Sequence, residues 1–145
     1  MRRAVFCIVV GLQLLRGEVA RAGVVELKLG PAGAGMGGAN PLSLPPVATD
    51  LEASYVTDSG LEFNLSVVPG IFVGQRFHEG SFYGSLGAGV AIDVNGAGVG
   101  VYSALGWMSP LSSGNGVLVE FKQAVGYGER AIFPYALRIG LQREF

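Results

Sequence analysis

Hydrophobic side chains recur at every second residue along most of this chain. In LEFNLSV, Leu61, Phe63, Leu65 and Val67 alternate with Glu62, Asn64 and Ser66, the period of an extended strand with one apolar and one polar face. VVELKLG opposes Val25, Leu27 and Leu29 to Glu26 and Lys28, and LEASYVT opposes Leu51, Ala53 and Tyr55 to Glu52 and Ser54. In SFYGSLGAGVAID, Phe82, Leu86, Val90 and Ile92 face away from Ser81, Ser85, Gly87, Gly89 and Asp93. GVLVEFKQAVGYG sets Val117, Val119, Phe121, Val125 and Tyr127 against Glu120, Lys122, Gly126 and Gly128. The final run has the longest apolar row, Phe133, Tyr135, Leu137, Ile139, Leu141 and Phe145, against Ala136, Arg138, Gly140, Gln142 and Glu144. Gln123 and Arg143 interrupt the apolar rows.

Eight strands are predicted, over 24–30, 50–57, 61–68, 71–78, 81–93, 96–108, 116–128 and 131–145. Glycine or proline punctuates each junction, as in TDSG, VPGI, HEGS, VNGAG and SPLSSGNG, which are turn-forming compositions. Pro31 to Pro46 has no period and is expected to be one long loop. Reading Pro69 as part of a continuous strand instead of a turn would lower the count to seven.

Such strands suit two architectures. A soluble sandwich buries the apolar rows between two sheets, whereas a membrane barrel turns them to lipid and keeps the polar rows inside. Runs of thirteen residues match a membrane-spanning strand plus its turn better than a sandwich strand of about 5 or 6 residues. The polar rows also carry glycine and alanine, and the inside of an eight-stranded barrel is only wide enough for side chains to fill. Glu26, Glu52, Glu62 and Glu120 are then expected to meet Lys28, Arg76, Lys122 and Arg138 in a polar network inside the barrel. The expected fold class is all-β, a closed antiparallel transmembrane barrel, with a secreted sandwich that binds a partner as the alternative.

Half of the 145 residues are hydrophobic, mean hydropathy is +0.45 and 14% are charged, against about 25% charged in soluble domains. The 24 glycines disfavour long helices. Residues 1–22 read as a cleaved secretory signal: a basic start at Arg2 and Arg3, an apolar stretch of twelve residues from Ala4 to Leu15 interrupted only by Gln13, and a small-residue ARA at Ala20 to Ala22. The barrel domain is then 23–145. Its six basic and ten acidic residues give a net charge of −4, and without a basic run the electrostatic drive for nucleic-acid binding is missing. Cys7 is the only cysteine and leaves with the leader, which removes disulfide, thiolate and cysteine-metal chemistry from the mature chain.

YALRIGLQREF resembles the terminal strand of bacterial outer-membrane β-barrels, whose chains end on an aromatic preceded by alternating hydrophobic residues. FYGSLGAGVAIDVNGAGVGVYSALGW similarly resembles glycine-rich hairpins of small members of that superfamily. The resemblance implies an assembly signal formed by Tyr135, Leu137, Ile139, Leu141 and Phe145, read by the barrel-assembly machinery, and closure of the last strand on the first. It implies residence in the outer membrane of a Gram-negative bacterium, with outer-membrane lipid as surroundings and a monomer as the expected state. Turns at 57–60, 78–81 and 109–116 would face the periplasm and loops at 31–49, 68–71, 94–98 and 128–131 the exterior. Phe77, Phe82, Trp107 and Phe145 would form the periplasmic aromatic belt and Tyr127, Phe133 and Tyr135 the outer one.

Candidate chemistry is sparse. Gly33, Gly35 and Gly38 match a G-x-G-x-x-G pattern, but Asn40-Pro41 follows where a phosphate-binding loop would open a helix. His78 is the one histidine and stands in FHEGS with Glu79 and Ser81, so a Ser-His-Glu lipid hydrolase can be drawn. Against it, all three crowd one turn and no oxyanion donors are evident. No metal site, cofactor or catalysis is expected, and the role reduces to envelope structure or surface binding.

Overall fold

A computed structural model describes residues 23–36, 48–93, 96–112, 114–128 and 131–145; the leader expected at 1–22 lies outside them. Eight strands follow in chain order: β1 Gly23–Met36, β2 Ala48–Thr57, β3 Leu61–Ser66, β4 Gly70–Glu79, β5 Phe82–Asp93, β6 Gly96–Ser112, β7 Asn115–Tyr127 and β8 Ala131–Glu144. Each pairs antiparallel with its sequence neighbours, and β8 returns to β1 to close the barrel. The two-sheet sandwich is therefore corrected: one sheet closed on itself leaves no second sheet to cover the apolar rows.

Pairing fixes the geometry. Following the register from Val24 through Val56, Glu62, Gly74, Gly87, Tyr102 and Ala124 to Pro134 leads back to β1 at Ala34, ten residues above the start. A slide of ~33 Å around eight strands spaced ~4.8 Å apart means a strand tilt of about 40°. Gly23 and Phe145, the termini of the described barrel, share one end with the turns at 57–60 and 80–81; the far ends of β1, β3, β5 and β7 share the other. Closure runs to the last residue, for the Phe145 N–H donates to the Gly23 carbonyl at 3.0 Å.

Two boundaries differ markedly from the sequence expectation, and the separation of the third and fourth strands agrees with it. Pro31–Met36 continues β1 instead of opening a loop, because it pairs with β2 (Pro31 with Thr49) and with β8 from Ala32 opposite Ala136 to Met36 opposite Ile132. Residues 37–47 of that expected loop lie outside the described ones, as does Gly38; Gly33 and Gly35 sit in the strand opposite Tyr135 and Phe133, where no phosphate loop can form. β6 runs on to Ser112, with an irregularity between Pro110 and Ser112 that absorbs the proline. Val67 to Pro69 is a turn, so β3 and β4 are separate strands. At Gly60 and Gly114 the turns need φ of 83° and 76°, a region that side chains other than glycine rarely adopt.

The polarity of the wall is inverted relative to a water-soluble core. Leu27, Leu51, Leu65, Leu86, Leu105, Leu137 and Ile139 point outward and are at least half exposed. Inside lie Glu26, Lys28, Asp50, Glu52, Glu62, Arg76, Glu120, Lys122 and Arg138, all buried.

Candidate functional site

The interior has three levels. At the end that carries the termini, a cavity of about 250 Å³ is bounded by Glu26, Thr57, Arg76, His78, Met108 and Gln142. Above it lies a network of charges. Towards the other end the filling turns apolar, with Phe72, Ala91, Tyr102, Ala104, Ala124 and Ile132 in one cluster and Ala32, Val68 and Ala136 in another. Alternation along each strand aims these side chains inward, and the ten-residue stagger brings side chains from distant parts of the chain to one level.

Arg76 on β4 holds two carboxylates. Its guanidinium grips Glu26 of β1 through both terminal nitrogens, Nη2 to Oε2 at 2.8 Å, and Glu62 of β3 through Nε at 3.2 Å and Nη2 at 2.9 Å. Such a fork satisfies lone pairs that a single ammonium leaves open. Ser85 Oγ donates to Glu62 at 2.6 Å, and the guanidinium carbon lies 4.2 Å over the Tyr83 ring. Lys28 Nζ reaches Glu26, Glu52 and Glu120 at 3.1, 2.9 and 2.8 Å. Lys122 donates to both oxygens of Glu52 at 2.9 and 2.8 Å. Arg138 on β8 reaches Asp50 at 2.8 and 2.6 Å, Glu52 at 3.0 Å, Glu120 at 3.2 Å and the Val68 carbonyl at 2.8 Å.

The eight charged residues marked in the sequence thus meet in one connected cluster. Asp50 belongs to it as well, tying Arg138 to the β3–β4 turn by accepting from the Val68 N–H at 2.9 Å. The sequence reading missed Asp50, although it shares the parity of Glu52. It also missed Tyr83, whose hydroxyl donates to Glu120 at 2.8 Å, and Tyr102, whose hydroxyl accepts from Asn64 at 3.2 Å. Both tyrosines share a row with inward small residues, Tyr83 with Ser85 and Gly87 and Tyr102 with Gly100 and Ala104, a signal hidden by their aromatic rings. No family model, curated protein or solved structure matches this chain. Among the described residues no group of three or more acidic, histidine or cysteine side chains is arranged to hold a metal, and no helix is long and apolar enough to cross a membrane, which leaves strands unaddressed.

His78 is placed in strand β4 rather than in a solvated turn. It lines the cavity beside Arg76, its ring 6.1 Å from that of Tyr83. Glu79, the next strand residue, points to the opposite face of the sheet, so the two do not converge as a triad would require.

Glycine makes room for the inward aromatics. A Cβ added at Gly106 would lie 2.2 Å from the Tyr83 ring, and one at Gly74 or Gly87 would strike Tyr102. Gly106→Ala is expected to displace Tyr83 from Glu120 and lower stability by about 1–3 kcal/mol, read as a lower urea midpoint; an unchanged midpoint would show that the ring yields freely.

Proposed function

We propose that this protein is an integral outer-membrane β-barrel of a Gram-negative envelope that acts without catalysis, as a packed wall element whose loops opposite the termini are available for surface binding. The observation that carries this reading is the inverted polarity, continuous around the closed sheet: aliphatic side chains outside, buried ion pairs inside. Water does not favour such an outer wall, whereas a hydrocarbon layer does, and full closure satisfies the sheet edges that lipid leaves without partners.

Aromatic placement supports it. Phe77, Phe82, Trp107 and Phe145 are exposed near the end with the termini, joined there by Tyr55, while Tyr127, Phe133 and Tyr135 stand towards the other. The intervening band, about 20 Å between Trp107 and Tyr127 on the tilt above, is close to the ~25 Å apolar height of outer-membrane barrels. In the assembly signal, Tyr135, Leu137, Ile139 and Leu141 share the outward row of β8 and Phe145 follows directly after it at the same parity, where the barrel-assembly machinery and then outer-membrane lipid would meet them. The charged and apolar fillings of the interior favour a structural or binding role over a porin-like channel.

The deciding experiment combines flotation with phosphatidylcholine vesicles and gel mobility before and after boiling. The protein is expected to float and to change mobility on boiling, because a closed sheet resists detergent until heated. A protein that stays at the bottom of the gradient and shows one mobility would overturn the reading.

A further inference from the structure

Between its aromatic rims the outer wall is apolar except at a few positions, and two of these stand together. Ser103 on β6 and Gln123 on β7 face outward, directly opposite one another in the register, amid Val101, Leu105, Phe121 and Val125. Val99 and Trp107 lie four residues to either side of Ser103, and Tyr127 pairs with Val99. With a rise of ~3.4 Å per residue and a tilt of about 40°, Ser103 sits roughly 10 Å from each rim. The pair is therefore at mid-height. Gln75 and Asn115, the other outward amides among the described residues, lie nearer the end with the termini and are bonded, Gln75 donating to the Ser59 carbonyl at 2.7 Å and Asn115 to Ser112 Oγ at 3.2 Å. Among the described residues no comparable bond engages the Gln123 amide or the Ser103 hydroxyl.

An unbonded amide at the centre of a hydrocarbon layer is badly placed, since neither water nor lipid tails supply a partner there. We propose that this β6–β7 face is the contact between two copies of the chain, related by a two-fold axis passing beside Gln123; the inference rests on the membrane reading and replaces the expected monomer. A glutamine amide carries a donor and an acceptor, so across a two-fold axis each NH2 group meets the other copy's carbonyl oxygen. A charged side chain in its place would meet its own sign. Ser103 beside it is small, which lets the two walls approach closely, as small residues do between membrane-spanning elements. A lipid chain on this face would leave both polar groups unbonded, and an unrelated protein would have to bring a matching amide, which a second copy always does.

The test measures Förster transfer between donor- and acceptor-labelled copies of the chain, refolded into phosphatidylcholine vesicles at high dilution and recovered by flotation. Wild type is expected to associate, and Gln123→Leu, which restores the apolar row, to weaken association about tenfold. Equal association of Gln123→Leu, or floating wild type without transfer, would overturn the inference and leave the membrane reading standing. Failure to float would sink both. Should Gln123→Leu not fold, disulfide crosslinking in a Cys7→Ala chain decides: Ser103→Cys is expected to form covalent dimers and Leu65→Cys, on the far side of the barrel, to form none. Equal crosslinking from both positions would overturn the inference.

Discussion

Arg138→Leu is expected to lower the unfolding free energy by about 3–5 kcal/mol, followed by Trp107 fluorescence in a reversible urea titration. Arg138 serves Asp50, Glu52, Glu120 and the Val68 carbonyl at once. Leucine supplies similar apolar bulk but no donor, so these oxygens remain buried with fewer partners. The balance of charge sharpens the expectation. Among the described residues the buried interior holds five carboxylates against four cations, and loss of a cation worsens an excess of negative charge that loss of a carboxylate would relieve. Asp50→Asn is the matched comparison, since its amide oxygen can still accept from the Val68 N–H while the charge count evens out. It is expected to cost less than half as much as Arg138→Leu. An equal loss from the two variants would mean that the network acts through hydrogen-bond count alone and that its charge balance is immaterial.

The same network explains how a sheet with so few large aliphatic side chains inside keeps its shape. Glu26, Lys28, Glu52, Glu120 and Arg138 come from β1, β2, β7 and β8, so their ion pairs cross the seam where the chain closes. Arg76 adds β3 and β4 through Glu62. Tyr83 of β5 enters through Glu120, and Tyr102 of β6 through Asn64. Hydrogen-bonded strands alone hold neighbours together; side chains that span the interior hold opposite walls. Fully bonded, such a network rigidifies the structure, whereas a half-bonded one costs more than an apolar filling.

The barrel was legible because a period of two persists through most of the chain, and one buried face makes parity unambiguous. Parity also located the charged interior, since Glu26, Lys28, Glu52 and Arg138 announce their row by their chemistry. It was less informative where the inward residue is apolar. Leu118, Ile132, Tyr83 and Tyr102 are buried inside, yet each looks at home on either face. Pro31–Met36 was unreadable for a different reason: alanine and glycine alternate there with no contrast in hydropathy, and what makes the segment a strand is its pairing with β8, a hundred residues away. Tyr135 packs on Gly33 across that pairing, where a Cβ would lie 2.5 Å from its hydroxyl oxygen. No local rule predicts such a joint. The end of β6 was cut short by Pro110, whose cost is reduced by the irregularity beside it.

Leu137→Arg is expected to destabilise the protein in lipid or detergent by about 2–4 kcal/mol, because Leu137 stands outside at mid-height. A row of paired residues climbs roughly 3 Å per strand at a tilt of about 40°. Tyr135, two strands beyond Ser103 in the same row, is thus about 6 Å higher, and two residues down β8 returns Leu137 to the level of Ser103. Leu137 is half exposed, with Phe121 as its paired neighbour on β7. Arginine there has neither a carboxylate nor water within reach and must bend towards a rim. Depth gives the control. Leu141→Arg, four residues nearer the end with the termini, lies about 10 Å lower by the same reckoning and is expected to cost only about 0–1 kcal/mol. Urea titration of both variants in vesicles measures the difference. A graded loss with depth belongs to a wall in contact with hydrocarbon; the same small loss at both positions would mean that the wall faces water or protein, and the membrane reading would fall with it.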